Sequence, residues 1–280
     1  MKNFIVRACT GLAYAVLLVG CVVYSPVSAY VFFGLVTVAC LMEFGAVVNN
    51  HAEASLPRPI NALGGFLLVS AVWLMATGGN GAGKMAAAWG ALMLYILVRE
   101  LYVRADNSLR NWTLCFASQC YIAIPFSLIP LLSIYYNPSS DTLSYQWIYP
   151  LALFIFLWCN DTGAYLFGCT LSRYLSWKLF PRISPKKSWV GSIGGGLLTL
   201  AASAVIWHFY PQMPLWRWMG FALVVVVFGT WGDLVESLLK RQLGIKDSGR
   251  MLPGHGGFLD RFDSALLSIP AVVIYMILSA

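Results

Sequence analysis

Charged residues are scarce in this chain: Asp, Glu, Lys and Arg make up 10% of its 280 residues, and hydrophobic residues make up 59%. A soluble domain carries about 25% charged residues, so this composition argues against an ordinary water-soluble protein. The apolar residues form long blocks, and a run of about 20 apolar residues spans a bilayer core. Short alternating segments typical of a transmembrane barrel are absent. We therefore predict an all-α, polytopic membrane helical bundle.

Metal-binding cysteine patterns are lacking as well. The seven cysteines form no CxxC pair and no Cys/His cluster. This argues against a zinc site and against a disulfide framework. No internal repeat or low-complexity segment is recognisable, which weakens the case for a transporter built from inverted repeats. No loop is long enough to form a soluble domain.

Nine apolar blocks predict nine transmembrane helices. They lie at roughly 5–24, 28–48, 60–78, 84–103, 112–136, 147–168, 190–209, 217–239 and 262–280. With the N-terminus in the cytoplasm, all lysines and arginines except Lys84 and Arg217 fall on the cytoplasmic side, as the positive-inside rule requires. We divide the chain into an N-terminal region of five spans, 1–145, and a C-terminal catalytic region, 146–280. Two basic cytoplasmic loops, roughly 169–189 and 240–261, belong to the second region.

Three local patterns resemble motifs that their context argues against. Val27-Ser28-Ala29 resembles a signal-peptidase site and Leu18-Val19-Gly20-Cys21 a lipoprotein box, but membrane spans follow at once, so we expect the first helix to be retained. The run GGNGAGK fits GxxxxGK, but Met85 replaces the Ser or Thr that a P-loop needs. We interpret this run as a Gly-rich turn.

Acidic residues within membrane spans are costly and usually functional. Asp161 lies late in the sixth predicted span. In the eighth span, polar side chains recur at helical spacing and fall on one face; they are Asp233, Glu236, Ser237 and Lys240. An internal salt bridge would be an alternative role for Asp233.

A second acidic group opens the ninth predicted span, where Asp260 and Asp263 flank Arg261. An acid in the first turn of a helix is favoured by the helix dipole, so Asp260 could be a helix cap. Glu43 is isolated and Glu100 lies beside arginines, so both are less informative.

The carboxylates of the eighth and ninth spans meet basic residues at the cytoplasmic boundary. These are Lys240, Arg241, Lys246, Arg250 and Arg261. Paired carboxylates hold magnesium together with waters and substrate phosphates, and clustered Lys and Arg bind phosphate. This combination suits phosphoryl or nucleotidyl transfer, and the net charge of +7 suits an anionic substrate. His255 would contact phosphate, carry a proton, or form a loop hydrogen bond. Lys186 and Lys187 precede the positive end of the seventh helix, which favours anions.

Residues 237–263 read SLLKRQLGIKDSGRMLPGHGGFLDRFD. This segment resembles the signature of phosphatidate cytidylyltransferases, also called CDP-diacylglycerol synthases. The fixed positions present are Ser237, Lys240, Arg241, Lys246, Asp247, His255, Gly256, Gly257, Asp260, Arg261 and Asp263. NDTGAYLFG (160–168) and RISPKKSWVG (182–191) resemble two further family segments. The resemblance covers the C-terminal half strongly and the first 150 residues in outline.

The resemblance implies that phosphatidate and CTP give CDP-diacylglycerol and pyrophosphate, in phospholipid biosynthesis. It implies that Asp233 and Asp260 hold Mg²⁺, with K⁺ as a second ion. The expected catalytic residues are Asp233, Asp260, Lys240, Arg261 and His255; the expected substrate-binding residues are Lys186, Lys187, Arg241, Lys246, Asp161 and Ser237. The expected partners are CTP, phosphatidate and membrane lipid without nucleic acid, and a homodimer is left open. The expected location is the cell inner (cytoplasmic) membrane.

Three other functions are alternatives to a phosphatidate cytidylyltransferase. A polyprenol or phytol kinase shares the metal and the basic loops, but the full signature speaks against it. An ion-coupled transporter would use Asp161, Asp233 and Glu236 as a relay near the bilayer midplane. A CDP-alcohol phosphotransferase would need a DG-x-x-AR pattern, which this sequence lacks.

Overall fold

The computed structural model describes residues 2–103, 107–137, 141–171, 177–249 and 256–279. Its helices are α1 (Lys2–Tyr24), α2 (Pro26–His51), α3 (Arg58–Ala76), α4 (Ala82–Val103), α5 (Ser108–Ser118), a π-helical turn (Gln119–Ala123), α6 (Ile124–Ser127), α7 (Ile129–Ser133), α8 (Ile148–Leu171), α9 (Trp189–Phe209), α10 (Leu215–Gln242) and α11 (Leu259–Leu278). Its strands are β1 (Ile134–Asn137), β2 (Thr142–Tyr145), β3 (Lys178–Phe180) and β4 (Ser184–Ser188). The predicted all-α membrane fold is confirmed.

Eight helical segments among the described residues are long and apolar enough to cross a membrane. They correspond to the second to ninth predicted spans. The first predicted span is helical throughout, and the apolar stretch recognised among its residues with described side chains is Cys9–Tyr24. The exact number of spans and the cytoplasmic N-terminus therefore stay predictions.

The fifth span is interrupted, and it ends earlier than the predicted residue 136. Pro125 and Pro130 supply no backbone N–H, and the chain passes through a π-helical turn before α6 and α7. Nε2 of Gln119, in the π-helical turn, donates to Oδ1 and to the backbone carbonyl of Asn61, both at 2.8 Å. The residues after Ser133 form strand β1, which pairs antiparallel with β2. The aromatic side chains Tyr135 and Tyr136 favour an extended strand over a last helical turn.

The predicted basic loop 169–189 contains an antiparallel hairpin made of β3 and β4. Lys178 pairs with Ser188 and Phe180 with Ser184, with a bulge between the two pairs. The amide of Trp189 donates to the carbonyl of Trp177 at 3.0 Å and closes the base of the hairpin. The hairpin places the end of β4 directly before α9.

The chain forms two compact units. The first comprises Met1–Trp147 and Leu243–Phe262, and the second comprises Ile148–Gln242 and Asp263–Ala280. The core of the first unit contains Phe126 and Phe262, whose rings meet edge to face at 5.3 Å. The core of the second contains Trp218 and Phe221, whose rings stack at 5.9 Å. The proposed regions 1–145 and 146–280 stay a prediction.

Candidate active site

Glycines bring α8 and α9 of the second unit into backbone contact. A Cβ at Gly163 would lie 2.7 Å from Cα of Gly195, and a Cβ at Gly191 would lie 2.9 Å from the carbonyl oxygen of Ala164. Small residues allow such close approach of membrane helices. The contact sets the NDTGAY segment of α8 directly against the start of α9.

A cavity of about 240 Å³ opens within the second unit where these helices meet α10. Its wall includes polar and charged side chains from four elements. They are Asn160 and Asp161 of α8, Lys186, Lys187 and Ser188 of β4, Thr230 and Asp233 of α10, and Ser264 of α11. The structure therefore brings together four of the predicted site residues: Asp161, Lys186, Lys187 and Asp233.

Asp233 is one of the two aspartates that line this cavity, with Asp161. Nζ of Lys187 lies 2.6 Å from its Oδ2, and the hydroxyl of Ser237 donates to its Oδ1 at 3.1 Å. The side chains of Lys187 and Asp233 are 24% and 35% exposed, so both can be reached by a ligand. The salt bridge that the sequence offered as an alternative role for Asp233 exists, and its partner is a residue predicted to bind substrate.

The N-terminus of α9 also borders the cavity. Ser188 caps this helix by accepting a hydrogen bond from the amide of Gly191 at 3.2 Å, and Gly191 and Ser192 line the cavity. A helix N-terminus carries a partial positive charge that favours anions. Together with Lys186 and Lys187, it makes this side of the cavity suited to phosphate.

Asn160 belongs to the cavity wall and was not among the predicted site residues. It is 4% exposed, its Nδ2 donates to the hydroxyl of Thr230 at 3.5 Å, and its Oδ1 has no hydrogen-bond partner among the described residues. A buried acceptor of this kind usually has a partner. Its place in the family segment NDTGAYLFG was the available sequence signal.

The four polar residues on one face of α10 form two pairs, as their helical spacing predicts. Ser237 bonds Asp233, and Nζ of Lys240 lies 3.4 Å from Oε2 of Glu236, whose side chain is fully buried. Both pairs have i, i+4 spacing, so the prediction that these residues share one face is confirmed. Arg241 follows in the last turn and is exposed.

The remaining predicted site residues with a described position lie in the first unit. Oδ2 of Asp260 accepts from the amides of Ser248 at 3.0 Å and Gly257 at 2.9 Å. Asp260 thus holds backbone that precedes α11, and it lies inside the helix, which begins at Leu259, and not at the N-cap position that the alternative expects. Arg261 is exposed, and Lys246 lines a separate cavity of about 380 Å³ beside His51 and Asp247. The predicted role of His255 lies outside the described residues.

Glu43, which the sequence shows only as an isolated acid, is buried in the first unit and contacts the signature segment. It accepts hydrogen bonds from the hydroxyl of Ser248 and from the amides of Phe258, at 2.8 Å, and Leu259, at 3.3 Å. No local sequence signal could have found this contact, because Glu43 and Ser248 are 205 residues apart.

The fold defines a polytopic membrane protein whose cavity carries two lysines beside a helix N-terminus, and the comparisons with known proteins give its family. The model of the cytidylyltransferase family matches residues 5–279, so the chain belongs to this family of nucleotidyl-transferring enzymes. The chain is 38% identical to the phosphatidate cytidylyltransferase of Staphylococcus aureus (strain COL) over 190 residues, 68% of each chain. It is 34% identical to the phosphatidate cytidylyltransferase of Staphylococcus saprophyticus over 232 residues, 82% of this chain and 83% of the relative. The resemblance noted in the sequence is confirmed.

Proposed function

We propose that this chain converts phosphatidate and CTP to CDP-diacylglycerol and pyrophosphate in phospholipid biosynthesis. Membership of the cytidylyltransferase family supports the reaction class, and the names of the relatives support the substrates. The single structural observation that carries the site is the contact between Lys187 and Asp233 on a cavity that the N-terminus of α9 also borders.

The reaction makes one phosphorus–oxygen bond and breaks another. A phosphate oxygen of phosphatidate attacks the α-phosphorus of CTP, and the bond to the β-phosphate oxygen breaks, so that pyrophosphate leaves. The attacking group is already anionic, so catalysis consists mainly of positioning anions and stabilising charge. Lys186, Lys187 and the start of α9 are suited to hold the triphosphate. Lys240, Arg241, Lys246, Arg261 and His255 are the further candidates for phosphate contacts.

The chemistry of the donors around Asp233 fits Mg²⁺. This ion binds proteins through one or two carboxylates and takes its other ligands from waters and substrate phosphates. The described residues contain no group of three or more His, Cys, Asp or Glu that could hold a metal, so a bound Mg²⁺ would need ligands from substrate or water. Asp233 and Asp260 are the proposed ligands, with K⁺ as a second ion. When bound, Mg²⁺ would supply positive charge to the anionic phosphates.

The chain is an integral membrane protein by its apolar helices. We propose that it lies in the cytoplasmic membrane with its N-terminus inside, because nearly all of its lysines and arginines then face the cytoplasm. CTP would arrive from the cytoplasm and phosphatidate from the inner leaflet. A homodimer and the absence of a nucleic-acid partner stay predictions.

Pyrophosphate release by the purified protein in detergent, with phosphatidate, CTP, Mg²⁺ and K⁺, tests the reaction. We expect release to require phosphatidate, CTP and Mg²⁺, and to fall about 100-fold or more in Lys187→Met, because removing one preorganised charge contact typically costs 10²–10³ in kcat. Lys178→Met is the matched control, because Lys178 lies exposed in the same hairpin and does not line the cavity.

Two results would count against the proposal. No release from a folded wild-type protein would reject the reaction, and ion-dependent flux into vesicles would then favour the transporter alternative. Equal loss in Lys187→Met and Lys178→Met would keep the reaction but remove Lys187 from the site.

A further inference from the structure

Glu43 lies in α2, far along the chain from the signature segment, yet it is 7% exposed and surrounded by that segment's hydrogen-bond donors. Its Oε2 accepts from the amide of Phe258 at 2.8 Å. Its Oε1 accepts from the amide of Leu259 at 3.3 Å and from the hydroxyl of Ser248. Both oxygens of a buried carboxylate are therefore used to hold Ser248, Phe258 and Leu259.

The amides of Phe258 and Leu259 are the first donors at the N-terminus of α11. The first amides of a helix have no partner within the helix, and a carboxylate near them is favoured by the helix dipole. Glu43 thus caps α11 from another helix. Among the described residues it forms no ion pair, so these donors are what stabilises its charge in the protein interior.

Two glycines of the signature segment are required by this carboxylate. A Cβ at Gly249 would lie 2.8 Å from Cδ of Glu43, and a Cβ at Gly257 would overlap Oε1 of Glu43. The backbone at Gly249 and at Gly257 therefore lies directly against the Glu43 side chain. Packing against Glu43 therefore explains why position 257, within the run HGGFLD, is a glycine, without reference to a ligand.

The same residues hold Asp260. Ser248 donates from its hydroxyl to Glu43 and from its amide to Oδ2 of Asp260. Gly257 packs on Glu43 and donates from its amide to the same Oδ2 at 2.9 Å. Glu43 and Asp260 are thus linked through two shared neighbours, and a movement of Glu43 displaces both donors of Asp260.

We propose that Glu43 is a positioning residue, which fixes Ser248 and the first turn of α11 and through them orients the carboxylate of Asp260. The catalytic part of this inference rests on the proposed function, in which Asp260 is a metal ligand. The structural part, that Glu43 orders Ser248, Gly249 and residues 256–262, does not depend on it.

The variant Glu43→Gln tests both parts. A glutamine keeps the volume but replaces one oxygen by an NH₂ group, which would face the amide N–H of Phe258 or of Leu259. We expect hydrogen exchange in 256–262 of the metal-free protein to accelerate at least about tenfold, as the loss of one hydrogen bond to a charged group implies. In pyrophosphate release, we expect the half-saturating Mg²⁺ concentration to rise at least about tenfold.

Glu100→Gln is the matched control. Glu100 is also a buried acid of the first unit, 5% exposed, and it bonds Arg99 and Asn111; where the signature segment is described, Glu100 makes no bond to it. A general loss of folded protein lowers the rate at every Mg²⁺ concentration without moving the half-saturation point. Glu100→Gln should therefore leave both the exchange in 256–262 and the Mg²⁺ half-saturation unchanged.

If Glu43→Gln does not fold, Ser248→Ala decides the question by the same two measurements, because it removes the hydroxyl that joins Glu43 to the segment. Wild-type exchange and wild-type Mg²⁺ half-saturation in the folded variant would overturn the proposal, as would equal changes in Glu100→Gln. Faster exchange with unchanged Mg²⁺ half-saturation would reject the positioning role. A wild-type protein that releases no pyrophosphate at all would instead reject the proposed reaction, and the exchange data would still stand.

Discussion

The contact between α8 and α9 gives a prediction whose size follows from the structure. In Gly163→Ala the new methyl group would meet only backbone atoms, at 2.7 Å from Cα of Gly195, 3.0 Å from the oxygen of Gly194 and 3.2 Å from the nitrogen of Gly195. Backbone atoms of a helix cannot rotate away as a side chain can. The helices must therefore separate by about 0.7 Å, the difference between 2.7 Å and an ordinary contact of 3.4 Å.

Gly168→Ala is the matched control, because Gly168 lies in the same helix and a Cβ there would meet its nearest neighbours at 3.9 Å. Both substitutions gain the same helix propensity, about 1 kcal/mol, so this contribution cancels in the comparison. Overpacking typically costs about 1–3 kcal/mol. We expect Gly163→Ala to be less stable than Gly168→Ala by that amount, measured by reversible unfolding in mixed micelles. Equal stability of the two variants would refute the argument that backbone contact at Gly163 holds the helices together.

Four further expectations follow from the site and the chain. Asp260→Asn keeps an oxygen that can accept from Ser248 and Gly257, so pyrophosphate release should fall at least about 100-fold with little loss of thermal stability if Asp260 binds metal; full activity would leave Asp260 a structural residue that holds Ser248 and Gly257. Gly257→Ala should abolish release because its methyl group overlaps Glu43, whereas Gly20→Ala, with no neighbour within 4 Å, should retain it. In a chain without its native cysteines, Asn80→Cys should react with an impermeant maleimide added outside intact cells. Labelling only after lysis would show that the loop faces the cytoplasm, opposite to the predicted orientation. Lipid phosphate should support turnover where a lipid alcohol does not, and the opposite preference would favour the kinase alternative.

The membrane helices could be predicted because burial in lipid leaves a direct record in the sequence. Each helix must satisfy its backbone internally and present apolar side chains, so every span appears as a continuous apolar run. The i, i+4 pairs of α10 were predictable for a related reason: Asp233 with Ser237 and Glu236 with Lys240 depend only on helical geometry. Both kinds of information are local.

The interruptions and hairpins could not be predicted in the same way. The apolar run of the fifth span continues through the π-helical turn, and hydropathy does not distinguish α7 from strand β1. The basic loop before α9 gave no strand signal, because the residues of β4, SPKKS, are polar and include a proline. Pairing with β3 forms this strand, and pairing partners are not visible in one strand's composition.

The acids show where residue type informs and where it does not. Asp233 and Glu43 are both carboxylates in apolar helices, and the general rule that such acids are functional applies equally to both. Asp233 could be selected because helical spacing and a signature surround it. Glu43 has neither, since its partners come from a segment more than 200 residues away. Burial of an acid in an apolar helix without compensating donors would be too costly for the acid to persist. An acid such as Glu43, with no partner nearby in the sequence, therefore indicates donors from a distant segment.

Asp260 shows that a position in the first turn of a helix does not decide how a carboxylate is used. An acid there is favoured by the exposed amides, and a metal ligand needs a carboxylate held in a fixed orientation. The amide contacts of Asp260 with Ser248 and Gly257 are both made by Oδ2, and these donors precede α11 and are themselves held against Glu43. The first amides of α11 are held by Glu43, so the cap that the sequence suggests for Asp260 is made by another residue. The contacts of Asp260 instead fix one oxygen of its carboxylate, which is what a metal ligand requires.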